Sequence, residues 1–341
     1  MNPCYGDPYE REVNQGGFIT DKAFIKADSF FFMQESGVGF LRAGPRRHIV
    51  LKPDDVKVII LTCGGLCPGL NVVIRELVMS LWFNYGVRSI YGIQWGYGGI
   101  YDESAWMELN PCKVKDIHTL GGTILGTSRG GFDGEKIVDA FVKKGINMIF
   151  SIGGDGTHRG ILAMSKEIEK RGLKIVLAGI PKTIDNDIPI IDRSFGFESS
   201  VEQAVKAIQS ANVEANSVKN GIGLVKLFGR SCGFIALKAS LASRDVNICL
   251  IPESGFHLYG EHGLLEFLFK RLEVKSHCVI VVAEGAGSAI LDKSVSGTGK
   301  TDKSGNPILP DIGNVLKEDI RKYSEEKRIE GKRNSDSPRS P

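Results

Sequence analysis

The fold of this chain is decided by residues 56–81, which read VKVIILTCGGLCPGLNVVIRELVMSL. A short β-branched run, Val56–Leu61, leads straight into a glycine-rich turn, and an apolar stripe with helical spacing then begins at Ile74. A continuous apolar run of this length is typical of a strand buried on both faces, whereas the stripe indicates a helix with one apolar side. These residues therefore predict a strand, a tight loop and a helix in succession.

Further short apolar runs repeat the strand pattern along the chain, and apolar stripes with helical spacing lie in several of the intervals. Strands that alternate with helices predict an α/β fold with parallel-rich sheets. A polar, loop-rich stretch, Pro181–Ser200, separates two groups of these units, so we expect two Rossmann-like lobes. The expected strands are Val56–Leu61, Asn147–Ile152, Lys174–Ile180, Gly221–Leu227, Asn247–Ile251 and His277–Ala283, and the helical stripes span residues 74–81, 201–208 and 264–272.

Changes in composition divide the chain into four segments. We expect an irregular N-terminal extension at residues 1–50, a first lobe at residues 51–187 and a second lobe at residues 188–316. Residues 317–341 contain eight Lys or Arg and six Asp or Glu with very few apolar residues. This composition predicts a frayed helix followed by a polar, disordered tail, because such a segment buries too little apolar surface to offset the entropy of ordering.

The overall composition excludes several classes of protein. The chain has 341 residues, enough for about two domains, and a net charge of only +3, so neither nucleic acid nor an anionic membrane is an expected partner. No apolar run approaches the ~18 residues of a membrane span, and the acidic start matches neither a signal peptide nor a transit peptide. The seven cysteines lack C-x-x-C spacing, which favours free thiols and a cytoplasmic location over disulfides or zinc.

Several loops directly follow predicted strands, which is where parallel α/β sheets bind ligands. The loop Gly64–Asn71 precedes a helix, so its backbone N–H groups and the helix dipole together predict an anion site. This loop is not a P-loop, because Leu70 and Asn71 stand where that motif requires Lys and then Ser or Thr.

Three other loop segments also carry residues suited to phosphate chemistry. Gly153–Thr157 combines glycines that let backbone N–H groups approach a phosphate with Asp155, a hard oxygen ligand for Mg²⁺. Asp185 and Asp187 lie two positions apart, so one of them could take a proton from an attacking hydroxyl. Arg129, in a glycine-rich stretch, could clamp phosphate oxygens. Taken singly, these segments remain open to structural interpretations: a plain turn, an Asx-rich turn and a solvated surface arginine.

Five motifs follow one another along the chain. They are G-G-x-x-P-G-x-N at Gly64–Asn71, G-G-D-G-T at Gly153–Thr157, P-K-T-I-D-N-D at Pro181–Asp187, G-R-S-C-G-F at Gly229–Phe234 and A-E-G-A-G at Ala283–Gly287. In this order they resemble the motifs of the 6-phosphofructokinase family, and their residues are similar to those of its ATP-dependent branch in plants and some protists. The resemblance covers roughly residues 42–313.

The resemblance implies transfer of the γ-phosphoryl group of ATP to the 1-hydroxyl of fructose 6-phosphate, which is the committed step of glycolysis. It also implies an allosteric, cytoplasmic homo-oligomer, a tetramer, with the active site in the cleft between a nucleotide lobe and a sugar-phosphate lobe. Asp185 would be the catalytic base, Asp155 would bind Mg²⁺, and Gly156 with Lys182 would set donor specificity. The implied ATP site is Gly64, Arg129, Gly130, Gly154, Asp155, Gly156 and Thr157, and the implied sugar site is Thr183, Ile184, Asp185, Phe228, Gly229, Arg230 and Glu284.

Two departures from the family pattern keep alternatives open. Phe228 replaces the usual Met before the Gly-Arg pair, and no Y-x-x-R segment for the sugar 6-phosphate is found, since Glu326 stands three positions after Tyr323. We therefore expect an incomplete second lobe, and a catalytically impaired fragment or non-catalytic subunit is one alternative. A pyrophosphate-dependent enzyme is another, although pyrophosphate users usually have Asp at the position of Gly156.

Overall fold

The computed structural model describes residues 24–26, 39–41, 49–189, 191–287 and 309–335. Most of the predicted N-terminal extension lies outside these residues, but two short strands within it, β1 (Phe24–Lys26) and β2 (Gly39–Leu41), pair with each other in antiparallel orientation. The rest divides into two compact units. In the described ranges, the first unit holds residues 49–183 and 188–196, and the second holds residues 184–187, 197–287 and 309–335.

Within the described residues the chain passes between the two units three times, whereas the sequence placed one boundary between the lobes, after residue 187. The segment Ile188–Gly196 belongs to the first unit, because its end packs on the first glycine-rich loop. A Cβ placed on Gly69 would lie 3.3 Å from the ring of Phe195, and the Cys67 thiol donates to the Phe195 carbonyl at 3.4 Å. These two contacts hold the second crossing segment against the loop.

The first unit is built on a five-stranded sheet with the order β5-β4-β3-β6-β7, parallel except for the edge strand β5. The remaining strands of this unit are β3 (Lys57–Thr62), β4 (Ser89–Ile93), β5 (Trp106–Glu108), β6 (Met148–Gly153) and β7 (Val176–Pro181). The helices are α1 (Leu70–Met79), which continues as a π-helix over Ser80–Asn84, α2 (Pro111–Val114), α3 (Gly134–Lys144) and α4 (Asp155–Lys170). Short 3₁₀ turns lie at Pro53–Asp55, Gly96–Tyr101, Glu103–Ala105 and Ile117–Thr119.

The centre of this sheet confirms the expected doubly buried strand. Residues 58–61 of β3 are all fully buried, and β3, β6 and β7 begin within two residues of their predicted positions. The sequence did not predict β4, whose apolar run is interrupted by a glycine. Tertiary packing explains this glycine, because a Cβ on Gly92 would lie only 2.3 Å from a methyl carbon of Leu125.

The second unit is a three-stranded parallel sheet with the order β8-β10-β9. Alternate residues of the central strand enter two separate cores: Ile280 and Val282 pack with α7 and α8, whereas Val279 and Val281 pack with α5 and α6. Both faces of the sheet are therefore covered by helices, as in a Rossmann-like unit. The strands are β8 (Gly221–Leu227), β9 (Ile248–Leu250) and β10 (His277–Ala283), and the helices are α5 (Phe197–Asn216), α6 (Phe234–Ser243), α7 (Leu264–Lys275) and α8 (Ile312–Ser335).

The C-terminal segment forms a packed helix where the composition predicted a frayed helix and then disorder. Helix α8 continues to Ser335, and its first turns are packed, with Ile312 and Leu316 buried and Ile320 nearly so in the core beside α7. The Tyr323 ring contacts Phe269 edge-on at 5.1 Å. The average composition of residues 317–341 concealed this apolar stripe, which has helical spacing and needs only one face to be buried. Residues 336–341 lie outside the described structure.

Two expected absences concern the described residues alone. No helix among them is both long and apolar enough to cross a bilayer. The six cysteines within the described ranges are free, and no group of three or more His, Cys, Asp or Glu side chains is arranged to hold a metal ion there.

Helix α8 provides a test of the second unit's core. Leu316→Ala removes a fully buried side chain, and such a truncation costs about 2–5 kcal/mol of unfolding free energy. Lys317→Ala, at the next and exposed position, is the matched control and is expected to change stability by less than about 0.5 kcal/mol. Denaturant unfolding followed by circular dichroism measures both, and equal stability of the two variants would contradict the packing of α8.

Candidate active site

The loops after β3, β6 and β7 meet at one edge of the first unit's sheet because these strands are parallel neighbours. Backbone hydrogen bonds continue past the strand ends: the Cys63 N–H donates to the Ile152 carbonyl at 2.9 Å, and the Lys182 N–H donates to the Gly153 carbonyl at 2.9 Å. Three loops that are far apart in sequence therefore form one continuous surface.

The first loop is held open by glycine and faced by two cations. Gly64 has a φ of +85°, and a Cβ placed there would lie 3.6 Å from the Lys182 ammonium. A Cβ on Gly65 would lie 3.7 Å from Nη2 of Arg129. Because the glycines have no side chains, the backbone is open beside two positive groups. A phosphate is bound by such positive groups next to accessible backbone.

The Arg129 segment is tied to the same loop by its backbone. The Gly64 N–H donates to the Ser128 carbonyl at 3.0 Å, and the Thr127 hydroxyl donates to the Gly64 carbonyl at 2.6 Å. These bonds fix the segment that carries Arg129 and Gly130 next to the first loop. Arg129 is an exposed residue beside the glycine loop, so its role as a phosphate clamp stays a prediction.

The second loop forms the start of α4. Gly154 is the N-cap, without a side-chain cap, and Asp155 and Gly156 are exposed in the first turn. A Cβ on Gly153 would lie 2.1 Å from the buried Thr157 hydroxyl, so this turn requires glycine. A 16-residue helix directs the positive end of its dipole and its first N–H groups toward the same edge of the sheet as the two cations.

Lys182 is the most perturbed cation of this surface. Burial lowers its pKa, the positive charge of Arg129 acts in the same direction, and the neighbouring Cys67 sulfur opposes the shift. Two like charges held close together in a partly buried site repel each other. An anion bound between the loops would relieve that repulsion, so the electrostatics of this edge of the first unit favour an anion.

The second unit contributes another pair of strand ends, from the parallel neighbours β8 and β10. The Glu284 N–H donates to the Leu227 carbonyl at 2.9 Å, and the Gly285 N–H donates to the Gly229 carbonyl at 3.1 Å. A Cβ on Gly229, which has a φ of +133°, would lie 2.3 Å from the Cys232 carbonyl oxygen, so glycine is required. The hydrogen bonds place Arg230 and Glu284 on adjacent loops.

Asp185 lies among these loops and is strongly perturbed. The pKa of its carboxyl is raised to about 6, mainly by burial. The negative charges of Asp187 and Glu284 also raise this pKa, whereas the positive charge of Arg230 lowers it. The Cys232 thiol donates to the Asp185 carbonyl oxygen at 3.2 Å, which holds the backbone of this loop. A carboxylate with a pKa near 6 is charged at neutral pH and is basic enough to accept a proton from a hydroxyl.

The predicted residues therefore fall into two sets. The ATP set, with Lys182 and Thr183, lies in the first unit, whereas Ile184, Asp185, Phe228, Gly229, Arg230 and Glu284 lie in the second. In the first unit, the ends of β3, β6 and β7 join the loops that carry most of the ATP set. In the second, the ends of β8 and β10 join the Gly229 and Glu284 loops, and the Cys232 thiol bonds to the Asp185 loop. Phe228 leaves 63% of its surface exposed beside the Gly229 turn.

The phosphofructokinase profile matches residues 57–332 of the chain. The chain belongs to the phosphofructokinase family. Among its relatives, the ATP-dependent 6-phosphofructokinases 7 and 1 of Arabidopsis thaliana are 51% and 52% identical over 94% of this chain, which covers 65% and 67% of them. The ATP-dependent 6-phosphofructokinase of Borreliella burgdorferi is 52% identical over 85% of this chain, which covers 66% of it. The chain thus spans about two thirds of the length of these relatives.

Solved structures of phosphofructokinases share the fold of this chain. The T-state enzyme of Pichia pastoris superposes with a TM-score of 0.61 at 23% identity, over 86% of this chain and 31% of that one. Phosphofructokinase from Saccharomyces cerevisiae gives a TM-score of 0.57 at 26% identity, over 68% of this chain and 33% of that one. The two Rossmann-like units predicted from the sequence are therefore the family's architecture.

Sequence reasoning missed two residues that support the candidate site. Cys232 lies within the G-R-S-C-G-F motif, so the motif contained the signal, but only the fold shows that its thiol contacts the Asp185 loop. Glu253 accepts the Gly233 N–H at 2.8 Å and thereby fixes the residue that precedes α6. Nothing in the local sequence around Glu253 indicates this contact, because the two residues are twenty positions apart.

The raised pKa of Asp185 predicts a pH-dependent stability. Between pH 4 and about 6 the unfolded chain loses this proton while the folded chain retains it, so stability falls as pH rises through that window. Asp185→Asn stays neutral, so we expect its melting temperature to exceed that of the wild type at pH 7.5 by more than it does at pH 4. Calorimetry at both pH values measures this, with exposed Asp54→Asn as the control for loss of one charge. The same difference at both pH values would disprove the assigned perturbation.

Proposed function

We propose that this chain transfers the γ-phosphoryl group of ATP to the 1-hydroxyl of fructose 6-phosphate, giving fructose 1,6-bisphosphate. The observation that carries the proposal is the Asp185 carboxyl, whose pKa is about 6 and which lies among Arg230 and Glu284 in the family's P-K-T-I-D-N-D motif. Relatives about half identical to this chain are named ATP-dependent 6-phosphofructokinases, which supports the same donor and acceptor here.

The first unit would bind the nucleotide through its phosphates. The first turn of α4 would offer N–H groups, while Arg129 and Lys182 would supply positive charge. Gly64 and Gly130, with φ values of +85° and +89°, keep side chains out of the neighbouring loops. Most catalysis of phosphoryl transfer is positioning and charge neutralisation, so these groups need no covalent chemistry.

The residues present also fit a Mg²⁺ ion. This ion is usually bound by one or two carboxylates together with substrate phosphates and water rather than by a complete protein cage. Asp155 is an exposed carboxylate in the first turn of α4, so it could supply the protein ligand of such a shared site. Bound there, the ion would neutralise charge on the phosphates that Arg129 and Lys182 also contact.

The second unit would bind the sugar phosphate and activate it. Arg230 would pair with its phosphate and Glu284 would accept a sugar hydroxyl, while the tight Gly229 turn allows close approach of the backbone. Phe228, Ile184 and, from the first unit, Thr183 complete the proposed set. Asp185 would take the proton of the sugar's 1-hydroxyl while the oxygen of that hydroxyl attacks the γ-phosphorus of ATP. The bond between the γ-phosphorus and the bridging oxygen would break, and ADP would leave with that oxygen.

Two broader properties follow from the proposal. The free cysteines of the described residues fit a reducing compartment, which supports the cytoplasm as the location. A homo-oligomer, expected to be a tetramer, is the proposed assembly, and its mass can be measured by light scattering.

Replacement of the proposed base separates chemistry from binding. We expect Asp185→Asn to lower kcat by about 10²-fold or more, because a general base is lost, while ATP binding to the first unit is nearly unchanged. A coupled assay and calorimetry measure the two properties, with Asp54→Asn as the surface control. Wild-type turnover of Asp185→Asn would remove the assigned role.

Gly156 tests the identity of the donor. Gly156→Asp places a carboxylate in the first turn of α4, and a like charge a few ångströms from a phosphate costs about 1 kcal/mol or more, so ATP should bind at least about fivefold more weakly. Gly255→Asp adds the same charge at an exposed glycine with open space around it and is the matched control.

The donor assignment also has a direct check. Activity of the parent protein is measured with ATP and with pyrophosphate in separate assays. Better turnover with pyrophosphate, together with unchanged ATP affinity in Gly156→Asp, would show that ATP is not the donor.

A further inference from the structure

Trp95 has an unusual backbone for a large side chain. Its φ of 63° and ψ of 31° lie in the left-handed region, which costs free energy for any residue with a Cβ and persists only where the surroundings impose it. Here the Trp95 N–H donates to the Leu125 carbonyl at 2.9 Å, and its own carbonyl accepts the Ser128 hydroxyl at 2.5 Å. The backbone is therefore pinned on both sides by a single loop.

The strain at Trp95 does not serve to bury its side chain. The residue is 59% exposed, although indole is among the largest apolar surfaces a protein can bury. One edge of the ring rests on Gly126, where a Cβ would lie 2.5 Å from Cζ3 of Trp95. The structure thus holds an aromatic ring in a fixed position with much of its surface facing solvent, and strained residues of this kind are concentrated at ligand sites.

The loop that pins Trp95 also leads to one of the cations of the proposed phosphate site. Gly126 and Ser128 belong to the segment that leads into Arg129, and the same segment bonds to Gly64. Gly96, next to Trp95, packs against this segment and against the end of β3. A Cβ on Gly96 would lie 3.0 Å from the Ser128 hydroxyl and 3.3 Å from the Cys63 sulfur. Ring and cations are thus positioned by one rigid set of loops.

We propose that the indole of Trp95 contacts the purine base of the nucleotide and makes this site favour a nucleoside triphosphate over an inorganic phosphoryl donor. This inference rests on the proposed function and adds the residue that recognises the base. Arg129 and Lys182 attract any phosphate chain, so they cannot distinguish ATP from pyrophosphate or tripolyphosphate. An exposed aromatic face discriminates between them, because the base is flat and apolar and stacks on such a face, whereas an inorganic phosphate has no such surface.

The test uses variants that separate the ring from the backbone. Trp95→Gly removes the ring and relieves the left-handed strain, whereas Trp95→Phe retains an aromatic face. Binding of ATP and of inorganic tripolyphosphate, both with Mg²⁺, is measured by calorimetry on the purified chain. We expect Trp95→Gly to weaken ATP binding by about 5- to 150-fold, as for loss of one stacked base, without changing tripolyphosphate binding, and Trp95→Phe to retain most of the ATP affinity.

Fluorescence provides a second readout that does not depend on the stability of the glycine variant. ATP should quench the tryptophan emission of the wild type, the quenching should be lost in Trp95→Phe, and it should persist in the control Trp82→Phe. Tripolyphosphate should not reproduce the quenching.

The outcomes separate this inference from the function on which it rests. Equal ATP affinity of the wild type and Trp95→Gly, or quenching that persists in Trp95→Phe, would overturn the role of Trp95 and leave the kinase assignment intact. If the wild type binds tripolyphosphate as tightly as ATP, or does not bind ATP, both the ATP donor and the base contact are wrong.

Discussion

Parallel pairing of β3 with β6 and of β6 with β7 is the constraint on which the first unit depends. Parallel neighbours end at the same edge of a sheet, and their last backbone groups continue the hydrogen-bond pattern into the loops, as the bonds from Cys63 to Ile152 and from Lys182 to Gly153 show. Loops more than a hundred residues apart in sequence are thereby brought into contact. The proposed phosphate site around Asp155 and Lys182 depends on that pairing, and hydrogen bonds to Gly64 add the segment that carries Arg129.

Electrostatics is arranged differently in the two units. In the first, Arg129 and Lys182 repel each other beside bare backbone, so the surface attracts an anion. In the second, burial and neighbouring carboxylates raise the pKa of Asp185, which makes this group a stronger base. Both arrangements reduce the stability of the free protein and favour a bound ligand, which is typical of functional sites.

Much of the fold could be predicted from local pattern. The runs at Val56–Leu61, Gly221–Leu227 and His277–Ala283 were recognisable because strands buried on both faces need continuous apolar sequence. β4 was not recognisable because Gly92 interrupts its apolar pattern for the sake of a contact with Leu125. The packing of helix α8 was missed for a related reason, since a few apolar residues on one face are diluted by charge when composition is averaged over the segment.

The sequence by itself determined the family and the α/β class, because glycine-rich and aspartate-rich motifs at strand ends are local requirements of backbone geometry and phosphate chemistry. Only the tertiary structure decided how these residues act on one another. The shifted pKa values of Asp185 and Lys182, the thiol contact of Cys232 and the pinned, exposed ring of Trp95 all arise between segments distant in sequence. Burial and charge proximity are properties of the packed chain, and no local pattern encodes them.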